Sequence, residues 1–166
     1  MRVLVLGLDN AGKTTITRKL ANESLATIPP TLGFNITTLA MGDYTLHLWD
    51  VGGQSTLRAY WKNYFDATDA VVWVVDSSDA LRMKQCRDEM WGLLAEERLI
   101  GASLLIFANK QDVEGCLSME EIRDILGLNS IKDRNWKIIK SSAMTGEGLL
   151  EGFEWIISEA EKRIFM

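Results

Sequence analysis

The segment Gly7 to Thr15 carries the spacing Gly-x-x-x-x-Gly-Lys-Thr, which is typical of a phosphate-binding loop. Its glycines allow the backbone to curl so that successive N–H groups point at an anion, with the positive end of the following helix behind them. In such a loop Lys13 reaches the β- and γ-phosphates of a nucleotide, and the Thr14 hydroxyl ligates Mg²⁺. The predicted phosphate-contacting residues are Gly7, Asp9, Asn10, Ala11, Gly12, Lys13, Thr14 and Thr15.

A second polar cluster, Asp50-Val51-Gly52-Gly53-Gln54, follows an apolar segment. Alone, this sequence is equally compatible with a simple turn. Beside a phosphate-binding loop, the Asp50 carboxylate can hold Mg²⁺ through a water molecule. Gly53 has no side chain to block a γ-phosphate, so its N–H can donate to one, and the Gln54 amide can orient an attacking water. This cluster therefore predicts a site that detects and removes a terminal phosphate.

The segment Asn109-Lys110-Gln111-Asp112 predicts recognition of a guanine base. The Asp112 carboxylate can accept two hydrogen bonds from guanine, from N1 and from the 2-amino group, whereas adenine offers no such pair. The aliphatic stem of Lys110 can cover the plane of the base. As an isolated tetrapeptide the motif occurs freely by chance, but after the last buried strand of a phosphate-loop protein it favours guanine, with a solvated turn as the alternative.

These clusters are positioned by an alternation of strands and helices. Short apolar runs predict strands at 2–6, 70–75, 103–108 and 136–140, and runs at 34–40 and 44–49 predict a β-hairpin. Ser118 and Glu121 form a capping box for one helix, and the segment 76–79 supplies capping residues for another. We therefore predict an α/β fold with parallel β-α-β units, one antiparallel hairpin at an edge, and ligand sites at the strand ends.

Composition and charge limit the functional classes. The 166 residues, 47% of them hydrophobic, fit one domain, and the net charge of −5 without a Lys or Arg cluster offers no basic surface for nucleic acid or an acidic membrane. Cys86 and Cys116 are far apart in sequence and are expected to be reduced, as in a cytosolic protein. No apolar run approaches the roughly 20 residues that span a bilayer. We expect a cytoplasmic monomer without stable membrane insertion.

Four motifs together resemble the ADP-ribosylation factor (Arf) family of small GTPases. They are Gly-Leu-Asp-Asn-Ala-Gly-Lys-Thr-Thr at 7–15, Pro-Thr-Leu-Gly-Phe-Asn at 30–35, Trp-Asp-Val-Gly-Gly-Gln at 49–54 and Asn-Lys-Gln-Asp at 109–112. The resemblance covers nearly the whole chain. It implies a three-layer P-loop NTPase fold of the Ras-like type, with a six-stranded, mostly parallel sheet and helices on both faces, and a single G domain over residues 1–166. Met1-Arg2 stand where Arf-type proteins carry an amphipathic helix, so membrane association is not expected to carry over.

The resemblance implies a guanine-nucleotide-dependent switch that binds Mg²⁺ with GTP or GDP and hydrolyses GTP slowly. Thr31 would ligate Mg²⁺ only when the γ-phosphate is bound, together with Thr14 and the water-linked Asp50. Lys13 and Gln54 would be the catalytic residues. No arginine occupies an obvious position from which to act on the transferred phosphate, so we expect a slow intrinsic rate that a GTPase-activating protein accelerates.

Further roles also follow only from the resemblance. Ser142 and Ala143 match the family's last guanine-contacting motif, with the Ala143 N–H near the base carbonyl. Phe34, Trp49 and Tyr64 correspond to the aromatic residues that bind effectors, and the alternative is that these aromatics simply belong to the core.

The expected partners are a GTPase-activating protein, an exchange factor or co-chaperone, and effectors that bind the nucleotide-sensitive segments. Residues 31–34, 82–83, 96–99 and 163–165 resemble one branch of the family. For that branch the resemblance implies a tubulin-folding cofactor and carriers of lipidated proteins as effectors, and the centrosome and microtubules as further locations.

Two other functions use the same loop. A metabolic phosphotransferase would need an arginine-rich lid over its acceptor, and none is evident between the later strands. A binding module would hold the nucleotide without turnover, and a single-turnover assay distinguishes it from a GTPase.

Overall fold

The centre of the protein is a six-stranded sheet. The computed structural model describes residues 1–20, 34–52, 61 and 65–164, apart from the side chains of residues 34, 35 and 164. The strands are β1 (Arg2–Gly7), β2 (Phe34–Met41), β3 (Tyr44–Val51), β4 (Ala70–Asp76), β5 (Ser103–Asn109) and β6 (Trp136–Lys140). Their order is β2-β3-β1-β4-β5-β6, and every neighbouring pair is parallel except the antiparallel β2 and β3. The predicted parallel sheet with one edge hairpin is confirmed.

Helices cover both faces of the sheet, as predicted. They are α1 (Lys13–Leu20), α2 (Met83–Leu94), α3 (Met119–Leu126) and α4 (Leu149–Ile164). Alternate strand residues point to opposite faces, so Leu4 and Trp73 pack with α2 and α3, whereas Val5 and Val72 pack with α1 and α4. This gives three layers. In the described part of the chain, no helix combines the length and apolarity needed to cross a membrane.

The two predicted helix starts differ in outcome. Ser118 and Glu121 form the predicted capping box, with each side chain bound to the other residue's backbone N–H at 3.1 Å, and α3 ends at Gly127 in the left-handed conformation. The capping prediction for residues 76–79 is wrong. A 3₁₀ turn, Ala80–Arg82, precedes α2, and neither Asp79 nor Arg82 makes a side-chain capping bond at the helical starts. The Asp76 carboxylate has other partners, described below.

Strand order decides which loops meet. Because β1 lies between β3 and β4, the loop after β1 is flanked by Asp50 at the end of β3 and by Asp76 at the end of β4. The register pairs Asp76 with Asn109 at the end of β5. At the first glycine of the loop, a Cβ atom on Gly7 would lie 2.5 Å from the Val74 carbonyl oxygen, so only glycine fits beside β4.

Candidate functional site

The phosphate-binding loop connects β1 to α1 and closes around Lys13. The Lys13 side chain is buried, and its Nζ donates to the carbonyl oxygens of Gly7 and Leu8, each at 3.3 Å. The Ala11 N–H donates to the Leu8 carbonyl at 3.3 Å, which closes the turn. The loop therefore holds a positive charge at its centre, where an anion would be bound.

Three consecutive carbonyl groups of this loop are each bound by a side chain from another part of the chain. The donors are a guanidinium from the turn after β4, an amide from the last residue of β5 and an ammonium from the residue that follows it. The bonds are Arg82 Nη1 to Asp9 O at 3.2 Å, Lys110 Nζ to Asn10 O at 2.6 Å, and Asn109 Nδ2 to Ala11 O at 2.9 Å. Because these carbonyls are held by outside donors, the loop backbone is tied to the residues at and after the ends of β4 and β5.

Gly12 is required by the approach of Asn109 to the loop. Its φ of 102° lies in the region that favours glycine, and a Cβ atom there would collide with Asn109 Nδ2. Asn109 is itself buried at the end of β5, and its Oδ1 accepts from Ser141 Oγ and from the Ala143 N–H, each at 3.2 Å. One amide therefore joins the phosphate-binding loop to the loop after β6.

Two of the three predicted Mg²⁺ residues, Thr14 and Asp50, are in contact. The Thr14 hydroxyl at the start of α1 donates to Asp50 Oδ2 at 2.7 Å, and the Asp50 residue is only 4% exposed. Burial raises the pKa of Asp50, and the Thr14 hydrogen bond and the positive charges of Lys13 and Arg18 only partly oppose this shift. The positive charge around the Asp50 carboxylate is therefore too small to offset its burial. The Thr14 hydroxyl beside it is a second oxygen atom of the kind that ligates Mg²⁺.

Substituting Asp50→Asn is expected to raise the Tm of the protein by a few degrees when magnesium is chelated, because the variant buries no charge at this position. Since the pKa of Asp50 is higher in the folded state than the ordinary 3.8, its ionisation opposes folding. The advantage of the variant should therefore be absent below about pH 3.8, grow as the pH rises through the folded-state pKa, and be complete above it. Thermal unfolding between pH 3.5 and 8 measures this, with the exposed Asp88→Asn as control. A variant that is less stable than the parent at pH 8 would contradict the expectation.

The predicted base-recognition residues lie at adjacent loops after β5 and β6. Asp112 is exposed, and its Oδ1 accepts from the buried Ser142 hydroxyl at 2.8 Å, while Ser142 Oγ also accepts from the Thr145 N–H at 3.2 Å. The Gln111 side chain donates to Ser77 Oγ at 2.8 Å and to the Leu117 carbonyl at 3.0 Å. The Ser142 bond orients the Asp112 carboxylate at the surface, and the Gln111 bonds fix the adjoining residue to Ser77 and Leu117.

The described part of the proposed effector surface is Trp49 on β3. Trp49 is half-buried and packs against the core on the α2 and α3 face, and the Arg2 guanidinium lies 4.1 Å from its ring centroid. Its neighbour across the hairpin, Ile36, is 41% exposed. The backbone of Phe34 pairs with Val51. Trp49 thus contributes both to the core and to the surface.

Several predicted site residues lie outside the described residues, so the structure does not place them. They are Thr31, Gly53, Gln54 and Tyr64, together with the side chain of Phe34. The segment that leads towards Gly53 is described up to Gly52, whose carbonyl accepts from the indole of the buried Trp61 at 2.8 Å.

Sequence reasoning missed four residues that contact the site. Arg82 forms a 2.6 Å ion pair with the Asp9 carboxylate and also binds the Asp9 carbonyl. The base-recognition segment 109–112 is held by hydrogen bonds to Asp76, Ser77 and Ser141. The sequence indicates capping residues at 76–79, and the resemblance indicates Ser142 and Ala143, but neither indicates these partners. Those partners lie more than 30 residues away in sequence, and no spacing rule relates them.

Comparison with known proteins gives one consistent family. The model of the ADP-ribosylation factor family matches residues 1–160. The chain is 57% identical to ADP-ribosylation factor-like protein 2 of Arabidopsis thaliana, covering 100% of this chain and 90% of the relative. It is 55% identical to the protein of the same name in Drosophila melanogaster, covering 99% and 90%. Among solved structures, the Arl6 (BBS3) small GTPase of Trypanosoma brucei with bound nucleotide analogue GppNp superimposes with a TM-score of 0.87 at 35% identity, covering 98% of both chains.

Proposed function

The chain belongs to the ADP-ribosylation factor family of small GTPases, and we propose which of its residues bind GTP, which hydrolyse it and which signal its presence. The protein is a GTP-dependent switch and a GTP hydrolase of this family, and it binds guanine nucleotides. The branch of the family that the chain resembles is the one whose members are named ADP-ribosylation factor-like protein 2. Family membership also decides against the phosphotransferase and the module without turnover.

The observation that carries the assignment of the site is the position of Asn109. Its amide donates to the phosphate-binding loop at Ala11 and accepts from Ala143, so the loops for phosphate and base meet at one buried side chain. In the proposed complex, loop N–H groups and Lys13 bind the phosphates, Asp112 accepts from guanine, and Ala143 lies near the base carbonyl.

The contact between Thr14 and Asp50 fits a magnesium site. Both supply oxygen ligands, which Mg²⁺ prefers, and the buried Asp50 carboxylate gains a counter-charge if the ion binds through water. The ion would neutralise charge on the β- and γ-phosphates. We propose that Thr14 and Thr31 ligate it directly.

Hydrolysis requires a water molecule in line with the bond that breaks. The water oxygen forms a bond to the γ-phosphorus, the bond between the γ-phosphorus and the β-γ bridging oxygen breaks, and the products are GDP and phosphate. We propose that Gln54 orients this water and that Lys13 stabilises the charge on the departing oxygen. Arg82 binds the carboxylate and the carbonyl of Asp9, so we do not assign it to the γ-phosphate. This supports our expectation that a partner must accelerate the reaction.

Substituting Gln54→Leu is expected to lower the single-turnover rate of GTP hydrolysis by about 10- to 100-fold, because leucine cannot orient water. Affinity for GTP should stay within about twofold of the parent, since the side chain is not assigned to nucleotide binding. The measurement follows phosphate release from preloaded GTP, with ATP tested as a competitor for loading. An unchanged rate would remove Gln54 from the mechanism, and equal competition by ATP would overturn the guanine assignment.

The γ-phosphate is the proposed signal. Thr31 and Gly53 would bind it together, so that GTP orders the segments around them and presents Phe34, Trp49 and Tyr64 to an effector. Family members work with activating proteins, exchange factors and effectors. By resemblance to Arf-like protein 2, we propose a cytoplasmic monomer whose effectors are a tubulin-folding cofactor and carriers of lipidated proteins. Capture of these proteins by the GTP-analogue form but not the GDP form tests the proposal, and equal capture by both forms would refute it.

A further inference from the structure

The ammonium group of Lys110 is held between two loops. Its Nζ donates to the Asn10 carbonyl of the phosphate-binding loop at 2.6 Å and to Asp76 Oδ2 at 2.9 Å. Asp76 is the last residue of β4, where the register sets it beside Asn109, and its side chain is 17% exposed. The carboxylate therefore reaches the lysine from the end of β4.

The Lys110 backbone is also constrained. Its φ of 64° is unusual for a residue other than glycine, and the Lys110 carbonyl accepts from the Val113 N–H at 3.0 Å in a tight turn. Such a conformation is retained only where surrounding contacts determine it. The stem of Lys110 is thus anchored at the backbone by the turn and at the ammonium by Asn10 and Asp76.

Asp76 is suited to hold a charged partner. Burial is the largest single influence and raises its pKa, but the hydrogen bonds from Ser78 and Lys110 together outweigh it, so the pKa of Asp76 lies below the usual value. The carboxylate is therefore ionised at neutral pH. Its Oδ1 accepts from the Ser78 N–H at 2.9 Å and from the Ser78 hydroxyl at 2.5 Å, while Oδ2 faces Lys110.

We propose that Asp76 is a positioning residue that sets how long the nucleotide stays bound, by fixing the ammonium of Lys110 against the phosphate-binding loop. This rests on the proposed function, in which the Lys110 stem covers the guanine plane. The Asn10 carbonyl oxygen and Asp76 Oδ2 fix the ammonium, so that the Lys110 stem is extended across the base site. The segment 109–112 and the phosphate-binding loop then move as one unit. Base selectivity is a separate property, because the stem covers any purine, whereas the contacts assigned to Asp112 and Ala143 distinguish guanine.

Substituting Asp76→Asn is the informative change. Asparagine retains an oxygen for the Ser78 N–H, but it replaces the charge that faces Lys110 with a neutral amide. We expect GDP and a GTP analogue to dissociate about tenfold faster, since one charge-assisted hydrogen bond is lost, with association rates unchanged. The guanine-over-hypoxanthine preference should stay the same. Dissociation of fluorescent nucleotides in magnesium buffer provides the measurement.

A double-mutant cycle separates positioning from a merely structural role. Lys110→Met retains the stem but removes the ammonium, so Asp76→Asn should add less than twofold to the dissociation rate in that background. If the effects of the two substitutions multiply, or if Asp76→Asn alone leaves dissociation unchanged, the proposal is wrong.

Two further variants keep the test decisive if Asp76→Asn folds poorly. Ser78→Ala removes the hydroxyl that donates to Asp76 Oδ1, on the other side of the carboxylate from Lys110. This variant should leave the nucleotide dissociation rate within twofold of the parent. An effect as large as that of Asp76→Asn would show that the turn at residues 76–78 matters and the contact with Lys110 does not. Asp76→Glu retains the charge and should restore at least half of the lost residence time. Failure of the parent protein to prefer GDP over ADP would instead overturn the proposed function.

Discussion

Substituting Asp112→Asn should lower the affinity of the protein for GDP by about 10²- to 10⁴-fold, since the hydrogen bond from the 2-amino group is lost and the bond from N1–H no longer has a charged acceptor. It should also raise the affinity for xanthosine diphosphate. Guanine presents two donors, N1–H and the 2-amino group, to the carboxylate. In the variant, the asparagine NH₂ group faces the 2-amino group of guanine and cannot accept from it. Xanthine has an oxygen at that position, and this oxygen accepts from the new NH₂ group while the asparagine oxygen accepts from N1–H.

The structure supports a change of preference rather than a loss of folding. Asp112 is exposed, and its described partner is the Ser142 hydroxyl, which can still donate to the asparagine oxygen. Equilibrium binding of fluorescent GDP and of xanthosine diphosphate measures the preference. Glu114→Gln, an exposed carboxylate two residues further on, is the matched control and should bind GDP as the parent does. The base assignment fails if Asp112→Asn retains the parent's preference for GDP.

Substituting Lys13→Met should weaken GTP binding by about 10²- to 10⁴-fold, because two charge-assisted contacts with the β- and γ-phosphates are lost. GDP has no γ-phosphate, so its affinity should fall by a smaller factor, about 10- to 100-fold. The ratio of the two losses therefore reports the contact with the terminal phosphate separately from the rest of the site.

Stability should respond differently from binding. The Lys13 residue is 7% exposed, and its Nζ is bound to the Gly7 and Leu8 carbonyls, so the variant loses these bonds but no longer buries a charge. The free energy of unfolding without nucleotide should change by no more than about 1 kcal/mol. Isothermal titration with GDP and a GTP analogue, together with denaturant unfolding, measures both quantities. The exposed Lys84→Met on α2 is the control, and GTP binding equal to that of the parent would remove Lys13 from the phosphate site.

Much of the fold followed from local patterns. Apolar runs such as Val3 to Leu6 and Leu104 to Ala108 are long enough for buried strands and too short for helices, and the structure forms strands there. The capping box at Ser118 was equally readable, because both of its partners lie within one helical turn. The capping role of residues 76–79 was predicted wrongly, because a 3₁₀ turn precedes α2 and Asp79 makes no capping bond, while Asp76 is engaged by Lys110, 34 residues later.

The sequence by itself determined the chemistry of the site. The proposed phosphate and guanine contacts come from residues within short contiguous segments, so spacing alone identified Lys13, Thr14, Asp50, Asn109 and Asp112 as candidates. Tertiary structure decided how these segments are joined. Arg82 with Asp9, Asp76 with Lys110, and Asn109 with Ala11 and Ala143 meet only because β1 lies between β3 and β4 and the ends of β4 and β5 are in register. Strand order and register arise from packing of the whole sheet, and no local spacing in the chain encodes them.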